Sequence, residues 1–212
     1  MGNLMEEERN VCSSRSLENN KALKDGDQGW LRWLRAELTP PSLSDNTADA
    51  DRLIKGLKKE LATEHVAVDL SLLKTVSATL RKNNYKVHVA CFENRGIWKM
   101  IDVFALDDPA GIYGIALDLG STTLVLQLVN LTDGSILDEV SFHNPQIRIG
   151  SDILTRIHYA TAKGGIAELQ EMVIEQINKT IEQITEKHAL KKEFIVAMSV
   201  AGNTTMTHFF LG

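Results

Sequence analysis

The stretch that decides the fold is "YGIALDLGSTTLVLQLVNLTDG", Tyr113–Gly134, where the carboxylate of Asp118 stands in the middle of an apolar run. A glycine and three hydroxyl residues follow it at once: Gly120, Ser121, Thr122 and Thr123. The apolar positions on either side predict two strands, "YGIALDL" and "TTLVLQLVN", joined through this polar loop. "SILDEVSF" is a third strand, reached through a Thr-Asp-Gly turn, so the short connections predict an antiparallel meander.

Two helices and one more strand follow the meander. The first helix begins at a Ser151 cap, and the second runs from about Ile166 to His188 with apolar residues three or four positions apart. "EFIVAMSV" predicts an apolar strand of the buried type, and "AGNTTM" predicts a turn into a short helix. The order β-β-β-helix-β-helix is that of a ribonuclease-H-like subdomain, the unit with which actin-type ATPases hold ATP.

Upstream of this unit, the pattern predicts a small α+β module. One helix runs from an Asn46 or Thr47 cap to about Ala62, a second is capped by Ser71, and "VAVDL" between them is a short strand. "YKVHVACF" and "GIWKMIDV" alternate around "ENRG" as a hairpin. "WLRWLRAEL", residues 30–38, suits a short helix better than a strand, but its type stays open.

These patterns divide the chain into three segments. Residues 1–29 are polar and of mixed charge, as in a disordered tail or linker. Residues 30–108 are predicted to form the small α+β domain, and residues 112–212 a ribonuclease-H-like subdomain, the fold of the first half of an actin-type ATPase domain. The stretch "ALDDPAG" between the two contains the proline and glycine that are typical of a boundary.

Composition narrows the function classes. The 212 residues include 23 Lys and Arg against 28 Asp and Glu, with no basic tract that would follow a nucleic-acid backbone. The sequence contains no signal peptide and no apolar run of about 18 residues. We therefore expect a cytoplasmic protein that binds neither nucleic acid nor membrane. The two cysteines, Cys12 and Cys91, cannot supply the quartet that holds an iron–sulfur cluster.

The polar loop after the first strand has the chemistry of a phosphate site. A tight turn through Gly120, in a conformation closed to other residues, lets successive N–H groups converge on a phosphate, and the hydroxyls add neutral donors. Asp118 is placed to hold Mg²⁺ directly or through water. The Walker A and Rossmann glycine motifs are absent from the sequence. An ordinary hairpin is the alternative, because Asp and Gly are common in turns.

Two further clusters contain candidate residues. One repeats the loop design at the next strand end: Gly202, Asn203, Thr204 and Thr205. A helix N-terminus there favours anions, and a plain capping turn is the equal alternative. The other cluster follows the third strand, where Asn144 and Gln146 flank a proline and Asp152 precedes Arg156 by four residues. We name Gln146 and Asp152 as candidate catalytic residues, with an ordinary salt bridge between Asp152 and Arg156 as the alternative.

Four blocks spread over the chain are recognisable together: "PPSLSDNTADADRL", "YGIALDLGSTTLVLQLVNLTDG", "HNPQIRIGSDILTRIHYA" and "AGNTTMTHFFLG". They resemble the ATP-dependent reductive activators of corrinoid proteins, whose ATPase domain belongs to the superfamily of actin, the sugar kinases and Hsp70. The resemblance covers residues 36–212, and four blocks in one order are more specific than any one of them. The sequence departs from the family at Ser121, where threonine is usual, but the hydroxyl is kept.

The resemblance implies a protein that couples ATP hydrolysis to an uphill electron transfer, which returns a Co(II) corrinoid to Co(I). The implied cofactors are ATP and Mg²⁺, and the implied partner is a corrinoid protein of a methyltransferase system. In the family an iron–sulfur domain supplies the electron, and this chain has no ligands for its cluster. The superfamily places ATP between two ribonuclease-H-like halves, so we expect an amino-terminal fragment that binds nucleotide weakly or not at all.

Two other functions stay open at this point. A phosphotransferase of the same superfamily would share the Asp118 loop but would need an acceptor pocket and a catalytic carboxylate. An inactive remnant that binds a corrinoid protein, or nothing, would fit the missing cluster. Whether two copies form a homodimer is also open.

Overall fold

The computed structural model describes residues 30–106 and 111–212, so the tail predicted at residues 1–29 lies outside the described residues. The described strands form two four-stranded sheets, one from each half of the chain. None of the helices in these two ranges is long and apolar enough to cross a membrane.

The first sheet and its two helices form the amino-terminal module. In chain order its elements are β1 (Leu31–Glu37), α1 (Asp49–Glu60), β2 (Val66–Val68), α2 (Leu70–Lys82), β3 (Lys86–Asn94) and β4 (Ile97–Ala105). The strand order is β1-β3-β4-β2, with β2 parallel to β4 and the other pairs antiparallel. Leu53 and Leu57 of α1 and Val76 and Leu80 of α2 are buried in one core with the sheet. The predicted α+β module with its β3–β4 hairpin is confirmed.

In this module the structure decides one element that the sequence left open and corrects one prediction. Residues 31–37 form a strand, because each of them pairs with a residue of β3 and Trp33 stacks on His88 with ring centroids 4.8 Å apart. Tertiary pairing here overrides a helix-like sequence pattern. The predicted helix caps are wrong: α2 begins after Asp69, which leaves Ser71 inside the helix, and neither Asn46 nor Thr47 is the cap of α1. Thr47 donates its hydroxyl to Asp45 instead, at 2.7 Å, and α1 begins after Ala48.

The second sheet contains the predicted meander. Its elements are β5 (Tyr113–Leu119), β6 (Thr123–Asn130), β7 (Ile136–His143), a 3-10 turn (Pro145–Arg148), α3 (Ile153–Ala160), α4 (Gly165–Lys187), a second 3-10 turn (Lys192–Phe194), β8 (Ile195–Gly202) and α5 (Thr204–Leu211). The strand order is β7-β6-β5-β8, antiparallel except for the parallel pair β5–β8. This arrangement, three strands, two helices, a fourth strand and a final helix, confirms the predicted fold class.

One face of this sheet carries the core. Leu117 of β5 and Leu126 of β6 are buried with Leu169, Val173 and Ile177 of α4, the helix whose period the sequence predicts. The prediction of a buried strand at β8 is wrong. Only β5 pairs with β8 among the described strands, so β8 lies at the edge, with six of its eight residues exposed.

A small apolar cluster joins the two sheets. The rings of Phe104 in β4 and Phe194 before β8 stack with centroids 5.0 Å apart. Ala90 and Ile112 are buried with them. The two modules therefore share a packed contact close to the predicted boundary between them.

Candidate phosphate-binding site

The polar loop Gly120–Thr122 joins β5 to β6 at the carboxyl end of β5 in the second sheet. The parallel register of β5 and β8 pairs Leu119 with Gly202, the last residues of their strands. Because parallel strands have their carboxyl ends on the same side of a sheet, the Gly202–Thr205 turn lies beside the loop. The structure thus brings together the two polar turns that the sequence predicts as candidates.

Gly120 is required by a close approach of the backbone. A Cβ atom at this position would lie 2.2 Å from the carbonyl oxygen of Thr123, a distance that no side chain tolerates. Its φ angle is not positive, so other residues are excluded by this contact and not by a left-handed backbone conformation. The glycine is needed for the space, and the hairpin closes more tightly than any other residue would allow.

All three carbonyl groups of the loop are bonded toward the protein interior. The side-chain Nδ2 of Asn144 donates to the carbonyl of Gly120 at 2.9 Å, and the backbone N–H of Asn144 donates to that of Thr122 at 2.8 Å. Between them, Nη1 of Arg156 donates to the carbonyl of Ser121 at 2.6 Å. The loop is therefore held from one side by donors far along the chain.

The backbone N–H groups of the loop face the other way. In a trans peptide the N–H points opposite to the preceding carbonyl, and the described residues contain no cis peptide bond. The N–H groups of Ser121 and Thr122 have no hydrogen-bond partner in the described ranges. Consecutive unpaired N–H groups on one side of a loop form an anion-binding concavity. The loop thus has the free donors that an anion such as phosphate requires, and the predicted phosphate site stays a prediction.

Asp118 supplies the free carboxylate of the site. Its side chain is exposed and lies on the face opposite the core, in register with Val125 of β6 and Ala201 of β8. It borders a recess of about 280 Å³ with small neighbours such as Ala116 and Ser199. No group of three metal-ligating side chains occurs among the described residues. Mg²⁺ at Asp118 would therefore complete its shell with water and phosphate oxygens, as it usually does.

Gln146 lies behind the loop. It is completely buried, and its Nε2 donates to the carbonyl of Leu169 in α4 at 2.9 Å. Its backbone N–H donates to Oδ1 of Asn144 at 2.9 Å, which fixes the amide that holds the loop. This burial favours a supporting role, and the catalytic role predicted for Gln146 stays a prediction.

Asp152 caps α3. Its two carboxylate oxygens accept the backbone N–H of Thr155 at 2.9 Å and the Thr155 hydroxyl at 2.7 Å. These bonds lower the pKa of Asp152. The predicted cap at Ser151 is wrong by one residue, because the helix begins one position later. The catalytic role predicted for Asp152 stays a prediction, since both oxygens already serve the helix end.

Arg156 is the residue whose place sequence reasoning missed. None of the hydrogen bonds of its side chain goes to Asp152, so the alternative of an ordinary salt bridge between the two residues is wrong. The side chain is completely buried, and Nε donates to the carbonyl of Gly150 at 2.7 Å. Burial lowers the pKa of the guanidinium. The sequence signal for this burial was the position of Arg156 on the same helical face as Ile153 and Ala160, which are partly buried.

The second turn is a helix cap, and it shares a buried layer with the loop. Oδ1 of Asn203 accepts the backbone N–H of Met206 at 2.9 Å, which is the capping arrangement that the sequence left open. The sulfur of Met206 lies 3.9 Å from Nδ2 of Asn144 and 4.0 Å from Nη1 of Arg156. The start of α5 and the phosphate loop thus rest on the same side chains.

The described cysteine belongs to the other module. Cys91 in β3 is buried, and burial raises the pKa of its thiol to about 12. A thiol in this state is a packing residue rather than a metal ligand. Cys12 lies outside the described residues.

Known families match both halves of the chain. Residues 31–108 match the model described as the RACo linker region, and residues 113–212 match the model described as the RACo middle region. The chain belongs to the RACo family. The two matches meet at the stretch where the sequence predicts a boundary, and together they cover both sheets.

Two individual proteins agree with this membership. The corrinoid activation enzyme RamQ of Eubacterium limosum is 32% identical over 168 residues, which are 78% of this chain and 27% of RamQ. A solved structure of a reductive activator for corrinoid, iron-sulfur protein superposes with a TM-score of 0.75 at 32% identity, covering 90% of this chain and 30% of that one. The predicted resemblance to corrinoid activators is confirmed. The chain spans about 30% of these relatives.

Proposed function

We propose that this chain provides one wall of the ATP site in a RACo-family protein that reductively activates a corrinoid protein. One observation carries the proposal. The loop beside Asp118 has every carbonyl bonded inward and the N–H groups of Ser121 and Thr122 free on the outer side. Such a loop accepts the phosphates of a nucleotide and has no other evident use in the hairpin. The names of the relatives support the corrinoid partner.

The candidate residues have two proposed roles, metal binding and phosphate binding. The exposed carboxylate of Asp118 would hold Mg²⁺, and Gly120 with the three hydroxyl residues after it would cradle the phosphates. The turn at Asn203 and Thr204 would face the same phosphates from the next strand end, where the α5 N-terminus adds a positive dipole. The fit rests on the N–H groups of Ser121 and Thr122 on the outer side of the loop, which closes tightly because Gly120 lets the Thr123 carbonyl approach.

The remaining parts of the activity follow from the family. ATP hydrolysis supplies the free energy for an uphill electron transfer from an iron–sulfur domain to a Co(II) corrinoid, giving Co(I). The corrinoid would be carried by a partner protein of a methyltransferase system in the cytoplasm. This chain's own contribution is to bind and orient the phosphates. Because it forms one wall of the site, we expect weak nucleotide binding when it is alone.

Binding is tested on the 212-residue chain by following the amide signals of Ser121 and Thr122 by nuclear magnetic resonance. Millimolar Mg-ATP should shift these signals, and omission of Mg²⁺ should reduce the shift. Asp118→Asn should remove the effect of Mg²⁺ without unfolding the protein. Asp133→Asn is the matched control, since Asp133 lies in an exposed turn at the β6–β7 connection. Unmoved loop signals at saturating Mg-ATP would contradict the proposal.

The activity is tested in a longer protein. In a chimera, residues 113–212 replace the part of RamQ that aligns with them. This chimera should return an oxidised corrinoid protein to Co(I), followed by the absorption spectrum of the corrinoid, only when Mg-ATP is present. Asp118→Ala in this chimera should abolish the ATP dependence. A folded chimera that activates equally well with and without Asp118 would show that this loop does not serve the reaction.

A further inference from the structure

Arg156 is in an unusual electrostatic state for a buried arginine. Its side chain is completely buried, and the oxygen atoms to which it donates in the described residues are the backbone carbonyls of Ser121 and Gly150. No carboxylate of the described ranges forms a salt bridge with it, since the nearby Asp152 is engaged by Thr155. Its Nη2 is buried without any hydrogen-bond partner in the described part of the chain. The guanidinium is therefore a buried charge without a salt-bridge partner among the described residues, and the charge of Asp152 acts on it only from a greater distance.

Such a charge is costly, because burial removes the water that would solvate it. Most buried charges are paired with an opposite charge, and Arg156 instead lies under the phosphate loop. Its Nη1 holds the carbonyl of Ser121, so the charge sits on the carbonyl side of the Ser121–Thr122 peptide. The N–H of Thr122 then points away from the charge, toward the outer side of the loop. A charge in this place orients the peptide dipole and raises the positive potential where an anion would bind.

We propose that Arg156 is the positioning residue of the phosphate loop: it holds the Ser121 peptide with its N–H groups outward, and its unpaired charge favours an anion there. This rests on the proposed function, in which phosphate binds to the loop. Arg156 does not touch the phosphate, since its side chain is buried. A phosphate on the outer side would add a second distant negative charge to that of Asp152.

Two quantities separate this role from that of an ordinary core residue. The first is the order of the Ser121 and Thr122 amides, measured by nitrogen-15 relaxation. The second is the affinity of the loop for tripolyphosphate, the triphosphate part of ATP without its nucleoside. A residue that only fills space would change neither of them in a folded variant. A positioning residue changes both, and the affinity also responds to its charge.

The variants are Arg156→Met, which keeps much of the volume and removes the charge, and Arg156→Lys, which keeps the charge. A lysine has a single ammonium group and cannot span the carbonyls of Ser121 and Gly150 as the guanidinium fork does. Arg148→Met is the matched control, an exposed arginine in the 3-10 turn next to the loop. All measurements use the whole chain, and cooperative thermal unfolding establishes that each variant is folded.

Arg156→Met should lower the order of both amides and weaken tripolyphosphate binding about tenfold, the scale of a hydrogen bond to a charged group. Arg156→Lys should lower the order but lose less affinity, and Arg148→Met should match the wild type. Wild-type order and wild-type affinity in Arg156→Met would overturn the proposal. If Arg156→Met does not fold, Arg156→Lys decides: unchanged order at Ser121 would overturn the proposal equally.

The failure of this inference differs from the failure of the proposed function. If the wild type binds tripolyphosphate at the loop and Arg156→Met binds it equally well, the phosphate site stands and the role of Arg156 falls. If the wild type does not shift its loop signals with tripolyphosphate, the proposed function fails. The positioning role is then decided by amide order alone.

Discussion

Two polar turns lie side by side at the carboxyl ends of β5 and β8, and they differ in how far along the chain their hydrogen-bond partners lie. The β5–β6 loop is held by residues far along the chain: Asn144 reaches Gly120 across 24 positions, and Arg156 reaches Ser121 across 35. The β8–α5 turn is held locally, because Asn203 bonds the N–H of Met206, three residues further on. The first turn depends on the folded protein, and the second is encoded in four consecutive residues.

The difference supports the β5–β6 loop, rather than the β8–α5 turn, as the proposed ligand site. A local cap satisfies the backbone of its own helix and forms wherever the helix forms. Hairpins with loops of this length form without long-range support. The β5–β6 loop is nevertheless fixed by the buried side chains of Asn144 and Arg156. That long-range support leaves the N–H groups of Ser121 and Thr122 unused. We therefore regard the loop as the primary phosphate site and the cap as its neighbour.

The largest expected effect is that of Gly120→Ala. The new Cβ would stand 2.2 Å from the Thr123 carbonyl, so the hairpin must open and the bonds from Asn144 and Arg156 must lengthen. We expect a loss of about 3 kcal/mol in the free energy of unfolding, the upper range for overpacking a tight site. Chemical denaturation measures it. Gly202→Ala is the matched control at the other turn, where the nearest atoms lie at 3.1 Å and a smaller loss is expected.

Asn144→Ala tests the long-range support directly. It removes the donor to Gly120 and the acceptor for the Gln146 N–H, and it leaves both buried groups without these partners. We expect a loss of about 2 kcal/mol, since an unsatisfied buried group costs about 1–3 kcal/mol. Denaturation and the amide signals of the loop are the measurements. A variant as stable as the wild type would mean that Asn144 does not support the loop.

Sequence reasoning found the parts that depend on local pattern. The meander of β5 to β7, the long period of α4 and the polar loop between two strands all follow from the spacing of apolar and polar residues. The residues at both turns were also named from the sequence. What it missed was long-range: the pairing that makes residues 31–37 a strand, and the burial of Arg156. An arginine in a helix is exposed in most proteins, and only the fold places this one under a loop.

Asn203→Ala should act only on the local turn. Loss of the cap bond to Met206 should cost about 1 kcal/mol, the usual value for an asparagine cap. The amides at the start of α5 should exchange faster with solvent, while those of the β5–β6 loop should keep their wild-type signals. Hydrogen exchange followed by nuclear magnetic resonance measures both. Equal disturbance of the two turns would show that they are coupled through Met206 rather than independent.

The smallest expected effect is a dependence of stability on pH. It distinguishes the two helix caps near the loop, since Asp152 titrates and Asn203 does not. Hydrogen bonds from Thr155 lower the pKa of Asp152 in the folded state. The stabilisation by this cap is therefore complete above the unfolded-state pKa, about 3.9, and is lost as the pH falls through the lower folded-state pKa. Asn203, a neutral amide, keeps its bond throughout.

The comparison is made with two substitutions that exchange the chemistry of the caps. Asp152→Asn should remove part of the acid dependence of unfolding, and Asn203→Asp should add a similar dependence at α5, since a carboxylate at a helix N-terminus also interacts with the helix dipole. Unfolding midpoints of the wild type and both variants are measured between neutral pH and about pH 2, below the unfolded-state pKa. If the stability difference between wild type and Asp152→Asn persists unchanged in acid, the carboxylate of Asp152 does not act as a titrating cap.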